Sequence, residues 1–208
     1  MKAFIDKLLK KPKKKKKGRG TTCRRFEDWE KPLILEALSK NRSPERDRAW
    51  FVFGMMTGYR ISEALSIHIQ DILAPDGSIY DHVTVHASSM KNKRDRRVRI
   101  NETAQKYLRT WLDVSGKKTG LLFPIVRQSA HRIIKDAARR AGLDARRIGT
   151  HSMRKTAGWE VYTKSGNNIR VAQEFLGHSK PDITMVYLEI GSEQVDQVVD
   201  MIGIDDLV

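Results

Sequence analysis

The spacing of hydrophobic residues predicts a chain that becomes helical near residue 26. Apolar side chains recur at helical spacing over residues 26–38, and a second, largely apolar helix is predicted over 44–57. Gly58 follows that helix and is predicted to end it, because glycine readily takes the left-handed conformation found at helix C-termini. A third, short helix is predicted over 61–65.

The hydrophobic period changes over residues 79–100, where it predicts a small antiparallel sheet. β-branched residues mark one strand around Val83 and a second strand around Val98. The segment 88–97 between them is polar and strongly basic, which predicts a turn. The sheet is therefore expected to carry a basic turn at its tip.

Helical patterns return after the sheet, and cap signals divide them into separate helices. The predicted elements are a helix capped by Asn101, a short strand at 121–123, a basic helix at 129–141, a helix capped by Thr150 or Ser152 that ends near Ser165, a helix from Asn168 to Gly177, a helix opened by Ser179 or Asp182, and an amphipathic helix at about 193–202. The predicted fold class is mainly α with one small antiparallel β-sheet (α+β).

Charge and composition then narrow the class of protein. The 208 residues carry a net charge of +15, a balance that points to a polyanionic partner, most often nucleic acid. No apolar run approaches the roughly 20 residues of a membrane span, and the N-terminus lacks the apolar region of a secretory signal. Cys23 is the only cysteine, which excludes an intrachain disulfide and a cysteine-rich zinc site and suits a reducing cytoplasm.

The N-terminal segment is the most basic part of the chain. Residues 1–20 hold nine lysines and Arg19 against Asp6, a net +9, and the remaining 188 residues carry +6. Like-charge repulsion predicts a flexible arm over 1–25, followed by one domain over 26–208. The arm could bind DNA phosphates or serve only as a solvated tail.

Several polar residues have the chemistry needed to cleave a DNA phosphodiester without a metal. Two guanidinium groups, from Arg60 and Arg154, can hold the non-bridging oxygens and keep their charge at any working pH. The phenol of Tyr187 can attack phosphorus and conserve the bond energy in a covalent intermediate. The leaving sugar oxygen needs a proton, which Lys91 on the basic turn or an imidazole can supply.

Each of these residues also has a simpler explanation when it is taken alone. Arg60 and Glu63 could form an ordinary i,i+3 ion pair, Lys91 could lie in a solvated turn, His151 could cap a helix, His178 could pack as a loop histidine, and Tyr187 could be a half-buried aromatic residue. Their order along the chain is more specific than any one of them.

The ordered set resembles the tyrosine recombinase family, which includes phage integrases and Xer-like resolvases and shares its chemistry with type IB topoisomerases. The matching pieces are Thr57-Gly58-Tyr59-Arg60-Ile61-Ser62-Glu63-Ala64-Leu65, Lys91 seven residues before Val98, His151-Ser152-Met153-Arg154, Leu176-Gly177-His178-Ser179, and Tyr187 nine residues after His178. The chain departs from the family at Lys155, where histidine is frequent, and at Arg99, where proline is usual.

The resemblance implies a site-specific recombinase that cleaves and rejoins DNA through a 3′-phosphotyrosine intermediate. The implied roles are phosphate binding by Arg60 and Arg154, hydrogen bonds to the phosphate from His151 and His178, nucleophilic attack by Tyr187, protonation of the 5′-oxygen by Lys91, orientation of the site by Glu63, and DNA contacts from Lys93, Arg94 and Lys155. It implies that no metal or nucleotide cofactor is needed.

The resemblance also implies the partners and leaves alternatives open. It implies double-stranded DNA as partner, a homotetramer assembled on DNA through the C-terminal helix, no membrane association, and a nucleoid-associated protein in the cytoplasm. Family members usually carry an N-terminal core-binding domain, so the chain is expected to be an excised catalytic domain or a short member such as the fimbrial phase-variation recombinases. Two alternatives are a catalytically silent DNA-binding regulator on the same fold and an unrelated RNA-binding domain, although the chain lacks the aromatic-rich strand motifs of the latter.

Overall fold

The computed structural model describes residues 23–86 and 95–190. Most of the predicted arm, the turn residues Lys91, Lys93 and Arg94, and the predicted C-terminal helix lie outside these ranges. The elements within them are α1 (Glu30–Ser39), α2 (Pro44–Thr57), α3 (Ile61–Ala64), β1 (His82–Val85), β2 (Arg96–Arg99), α4 (Glu102–Ser115), α5 (Arg127–Arg140), α6 (Thr150–Lys164), α7 (Ile169–Leu176) and α8 (Pro181–Leu188), with short 3-10 turns at Ile69–Asp71 and Ala145–Arg147. The predicted fold class, mainly α with a small antiparallel sheet, is confirmed.

Helix α2 forms the centre of the main hydrophobic core. Trp50, Phe51 and Phe53 on this helix are almost completely buried, and the helix packs against α1, α4 and α6. A helix that is apolar on all sides is typically surrounded by other secondary-structure elements. Because α2 ends at the start of the candidate site, the core fixes the position of that site.

The sheet pairs β1 with β2 in antiparallel register, with Val83 opposite Val98. Alternate residues point inward, as expected for a strand with one face on the core. On β2 the two inward side chains belong to Val98 and Arg96. The sequence had placed Arg96 in the solvated basic turn, and that placement is wrong because the strand already begins at this residue.

Three of the predicted helix ends are confirmed by their capping geometry. The Asn101 side chain accepts a hydrogen bond from the Ala104 N–H at 3.0 Å, and the Asn168 side chain accepts one from the Arg170 N–H at 3.0 Å. Gly58 ends α2 in the left-handed conformation with φ +56°.

Other predicted boundaries are wrong. Gly149 rather than Thr150 or Ser152 occupies the N-cap of α6, and the Ser152 hydroxyl accepts a hydrogen bond from the Gly149 N–H at 3.1 Å. Pro181 begins α8, since its fixed φ suits the first turn of a helix. Helix α1 begins at Glu30, and α5 begins two residues before its predicted start.

The predicted strand at 121–123 is also absent from the described sheet. Leu121 forms only an isolated bridge with His68, and the Leu122 N–H donates to the Ile67 carbonyl at 2.8 Å. Leu122 and Phe123 are buried in the core while Leu121 is exposed, and the segment has no continuous strand partner among the described residues.

A second, smaller hydrophobic cluster holds the last three described helices together. It is formed by Tyr162, Ala172, Leu176 and Leu188. Helix α6 comes close to this cluster at Gly158, where a Cβ atom would lie 2.8 Å from Leu176 Cδ1. The cluster therefore fixes α7 and α8 against α6. No helix in the described parts of the chain is long and apolar enough to cross a membrane.

Candidate active site

The turn after α2 places Arg60 and its carboxylate partner. A Cβ atom on Gly58 would lie 2.7 Å from Phe175 Cε1, so the turn needs glycine both for its positive φ and for this close approach. Arg60 follows as the N-cap of α3. Glu63 accepts a hydrogen bond from the Arg60 N–H at 2.8 Å and one from its guanidinium at 2.7 Å. The i,i+3 ion pair is present, and it holds an arginine whose side chain remains partly exposed.

Arg154 joins the C-terminal ends of two helices. Its guanidinium donates to the carbonyl of Gly58 at the end of α2 and to that of Leu176 at the end of α7. The side chain is only 2% exposed, and cations are favoured at helix C-termini, where carbonyl groups lack partners. Burial lowers the pKa of Arg154 to about 10, so the group still carries its charge at neutral pH.

Arg96 makes a second connection between the same helix ends. Its guanidinium donates to the carbonyls of Thr57, at 2.8 Å, and Phe175, and it lies 3.6 Å from a carboxylate oxygen of Glu63. The Tyr59 ring stacks against it at 4.6 Å. Sequence reasoning missed this residue, although the period-two alternation through Val98 would have turned it inward.

His178 lies between Arg154 and the helix that carries Tyr187. Its Nε2 atom is 3.2 Å from a guanidinium nitrogen of Arg154, and its Nδ1 atom is 3.0 Å from the Thr184 hydroxyl. Burial, Arg154 and Arg60 lower the pKa of His178 to about 4, so the imidazole is neutral at neutral pH. Thr184 was not singled out from the sequence, since nothing in its neighbours marks it as polar and buried.

Tyr187 lies on α8 against this histidine and these cations. Its ring meets the His178 ring edge-on at 5.3 Å between centroids, and the Arg154 guanidinium lies 5.9 Å from its centre. The hydroxyl oxygen is buried near the Arg154 guanidinium, but it has no hydrogen bond of good geometry with any described residue. Burial raises the pKa of Tyr187 to about 12, and the charges of Arg154 and Arg60 oppose that rise.

His151 and Lys155 flank the cluster on α6. Partial desolvation and the charges of Arg154, Arg127 and Arg60 lower the pKa of His151, although the residue is exposed at the surface. His151 does not cap the helix. Lys155 pairs with Glu189 at 2.6 Å, and its ammonium lies 5.6 Å from the Tyr187 ring centre.

The described residues thus gather most of the predicted site. The members brought together are Arg60, Glu63, His151, Arg154, His178 and Tyr187, while Lys91, Lys93 and Arg94 lie outside the described residues. Fixed guanidinium groups beside a phenol form a cationic cluster whose charge suits a phosphate group. Within 23–86 and 95–190, no three His, Cys, Asp or Glu side chains cluster as metal ligands would.

Similarity to known proteins extends over most of the chain. Residues 24–193 match the model of the phage integrase family. The chain is 32% identical over 163 residues to the probable integrase/recombinase YoeC of Bacillus subtilis, covering 75% of this chain and 82% of that protein. It is 33% identical over 159 residues to tyrosine recombinase XerC of Corynebacterium glutamicum, covering 72% of this chain but 48% of that protein. The chain therefore spans about half the length of that relative.

Solved structures share the fold at lower sequence identity. The post-cleavage complex of the XerH site-specific recombinase with its palindromic difH substrate superposes with a TM-score of 0.67 at 20% identity, covering 87% of this chain and 53% of that one. The XerA recombinase superposes with a TM-score of 0.68 at 23% identity, covering 92% of this chain and 66% of that one. The catalytic domain of bacteriophage HP1 integrase superposes with a TM-score of 0.59 at 23% identity, covering 89% of this chain and 99% of that one.

Proposed function

The chain belongs to the phage integrase family, and we propose that it is a site-specific DNA recombinase that cleaves and rejoins DNA through a 3′-phosphotyrosine intermediate. The observation that carries this proposal is the placement of Arg60, Arg154 and His178 around Tyr187. Such a site binds a phosphate monoanion before reaction and stabilises the additional negative charge of the transition state. We propose that residues 26–208 form the catalytic domain.

In the proposed reaction, Arg60 and Arg154 hold the two non-bridging oxygens of the scissile phosphate. Tyr187 gives up its phenolic proton to water and attacks phosphorus, forming an O–P bond as the bond to the 5′-oxygen breaks. Lys91 gives the departing 5′-oxygen its proton, and His151 contributes a hydrogen bond to the phosphate. A 5′-hydroxyl of a partner duplex then attacks the phosphotyrosine and restores the DNA backbone, so no external energy source is needed.

Glu63 has a supporting part in this scheme. It ties the backbone and side chain of Arg60 together and lies close to Arg96. A carboxylate in that position keeps the guanidinium of Arg60 oriented while its partly exposed face remains free for phosphate. Lys93, Arg94 and Lys155 are proposed as further DNA contacts.

The proposed substrate is double-stranded DNA. XerH and lambda integrase, which share the fold, were solved as DNA complexes, the latter as a dimer. We propose that this chain likewise assembles on DNA, as a tetramer joined through its C-terminal helix, and that it acts on the nucleoid in the cytoplasm. The arm at 1–25 is proposed to add sequence-independent affinity, and its deletion would then flatten the salt dependence of DNA binding.

The test is a nicked suicide substrate that traps the covalent intermediate. The parent protein should form a denaturation-resistant adduct with DNA, and it should do so in excess EDTA because the arginines supply the charge stabilisation. Tyr187→Phe should bind DNA and form no adduct. An adduct with Tyr187→Phe, or cleavage that needs added magnesium, would contradict the assignment. DNA binding without any adduct from the parent would identify a silent regulator instead.

A further inference from the structure

We propose that Thr184 is a positioning residue whose hydroxyl fixes His178 as the neutral tautomer with its proton on Nδ1. In this tautomer the lone pair of Nε2 faces the guanidinium of Arg154. The role in catalysis rests on the proposed recombinase function, whereas the tautomer itself is a property of the folded protein.

The first support is the burial and position of Thr184. Its side chain is fully buried at 0% exposure on α8, one helical turn before Tyr187. The hydroxyl oxygen lies 3.0 Å from His178 Nδ1, and no other side chain of the described chain shares that hydroxyl. A buried hydroxyl needs a partner, and the imidazole is the partner present.

The second support is that the backbone of His178 is held in place. The His178 N–H donates to the Gln173 carbonyl at 3.0 Å, and the Gln173 amide donates to the His178 carbonyl at 3.0 Å. Because these bonds fix the Cα position, Thr184 and Arg154 between them decide the orientation of the ring.

The third support is the donor inventory around the ring. Arg154 lies 3.2 Å from Nε2, and a guanidinium can only donate, so Nε2 must accept. A neutral imidazole has one donor and one acceptor nitrogen, so the proton must lie on Nδ1 and the Thr184 hydroxyl oxygen must accept it. If the Thr184 hydroxyl donated instead, an Nε2–H group would face an arginine N–H group.

The charges around His178 favour the same neutral state. Arg154 on α6, Arg60 before α3 and Arg96 on β2 all disfavour a second proton on the ring, whereas Glu63 on α3 favours one. The neutral imidazole therefore accepts from Arg154 through Nε2 and helps to orient that guanidinium beside the phosphate site. An Nε2–H group would instead repel the Arg154 N–H and disturb the guanidinium.

The tautomer can be measured directly on the full chain at neutral pH. Selective ¹⁵N labelling of histidine and long-range ¹H–¹⁵N correlation spectra distinguish a protonated ring nitrogen from one with a lone pair. The His178 signals are identified by their loss in His178→Asn. We expect a protonated Nδ1 in the parent and in Thr184→Ser, and an Nε2–H or mixed population in Thr184→Val. An Nε2–H tautomer in the parent would overturn the proposal without any variant.

Cleavage of the suicide substrate then tests the catalytic consequence. Thr184→Val should slow adduct formation by roughly tenfold, the factor equivalent to about 1.4 kcal/mol, and leave DNA affinity near that of the parent. Thr184→Ser keeps the hydroxyl and should recover most of the rate. Parent-like cleavage by Thr184→Val would refute the positioning role.

Thr156→Val is the matched structural control. Thr156 is also buried, and its hydroxyl accepts from the Phe26 N–H and donates to the Ser152 carbonyl, both at 2.8 Å, rather than bonding to the imidazole. Its replacement should lower stability while leaving the His178 tautomer and the cleavage rate of the folded protein unchanged. If Thr184→Val and Thr156→Val slow adduct formation equally, the role of Thr184 is only structural. A parent that forms no adduct but shows the Nδ1–H tautomer would refute the recombinase function alone.

Discussion

The guanidinium of Arg154 donates a hydrogen bond to the backbone carbonyl of Gly58, 96 positions earlier in the chain. Arg60 lies two residues after that carbonyl, so one turn supports both arginines proposed to hold the phosphate. The conformation of this turn therefore determines the separation of the two guanidinium groups as well as the end of α2.

Gly58→Ala should disturb this turn and reduce cleavage. An added Cβ would have to adopt φ +56° and would lie 2.7 Å from a ring carbon of Phe175. The left-handed backbone alone costs about 1 kcal/mol, and the displaced ring should bring the loss of unfolding free energy to about 2–3 kcal/mol. Urea unfolding and single-turnover cleavage of the suicide substrate measure the two effects.

Gly116→Ala provides the control for backbone strain. Gly116 ends α4 with φ +63°, and a Cβ there would meet nothing within 4 Å. The substitution should cost about 1 kcal/mol of stability without slowing cleavage. The two variants could lose the same free energy of unfolding while Gly58→Ala cleaves DNA at the parent rate. That result would show that the contact with Phe175 has no effect on the site.

Tyr187→Phe should be about 1 kcal/mol more stable than the parent protein, because it removes a buried hydroxyl that lies near Arg154 but has no hydrogen bond of good geometry with any described residue. Tyr59→Phe is the opposite case. The Tyr59 hydroxyl lies 2.8 Å from the Arg96 carbonyl and 3.0 Å from that of Val83, so its removal should cost about 1 kcal/mol or more. Destabilisation of Tyr187→Phe would mean that its hydroxyl has a partner in solution.

Stability should fall as the pH is lowered from about 6.5 toward 4. The pKa of His178 is lowered from 6.5 to about 4 in the folded protein, so the unfolded chain binds more protons in this window. The contribution of neutral His178 to the free energy of unfolding is fully present above pH 6.5, the pKa of the unfolded chain. It is lost as the pH falls toward about 4, the pKa of His178 in the folded protein. Urea unfolding at pH 7 and pH 4.5 should show a smaller loss for His178→Asn than for the parent. Equal losses would mean that His178 titrates normally in the folded state.

Lys91→Ala should be rescued by a substrate whose bridging 5′-oxygen is replaced by sulfur. A thiolate leaves without a proton, so a missing general acid matters only on ordinary DNA. Lys91→Ala should therefore be severely slowed on ordinary DNA and cleave the sulfur-bridged substrate at close to the parent rate. Single-turnover adduct formation on the two substrates measures the difference.

Arg154→Ala is the control for this experiment and should remain slow on both substrates, because Arg154 is proposed to bind the non-bridging oxygens rather than the leaving group. If the sulfur-bridged substrate rescues Lys93→Ala, and Lys91→Ala cleaves ordinary DNA at the parent rate, the assignment of Lys91 as the turn lysine is shifted by two residues. Rescue of His151→Ala but of neither lysine would identify the histidine as the acid.

The parts of the fold that follow local rules could be predicted from the sequence. Asn101 and Asn168 cap their helices as expected, and Gly58 ends α2, because caps depend on a few adjacent residues. The N-cap of α6 was missed because Ser152 makes its hydrogen bond to Gly149 from the third helical position, and both positions suit a serine.

The parts of the site that depend on distant contacts could be predicted only in outline. The order of Arg60, Arg154, His178 and Tyr187 predicts these residues as candidates, but burial of their side chains depends on partners from other elements. Nothing adjacent to Arg96 in sequence shows that its guanidinium meets carbonyls 39 and 79 positions away. Thr184 likewise acquires its importance from the folded position of an imidazole.

The anchoring of Arg96 and Arg154 on main-chain carbonyls has a consequence for how the family can vary. Any amino acid supplies a carbonyl, so point substitutions at Phe175 or Leu176 do not remove the acceptors that these arginines use. An insertion or deletion of one residue beside them would rotate those carbonyls out of line. We therefore expect relatives of this protein to tolerate substitutions at these two helix ends more readily than insertions or deletions.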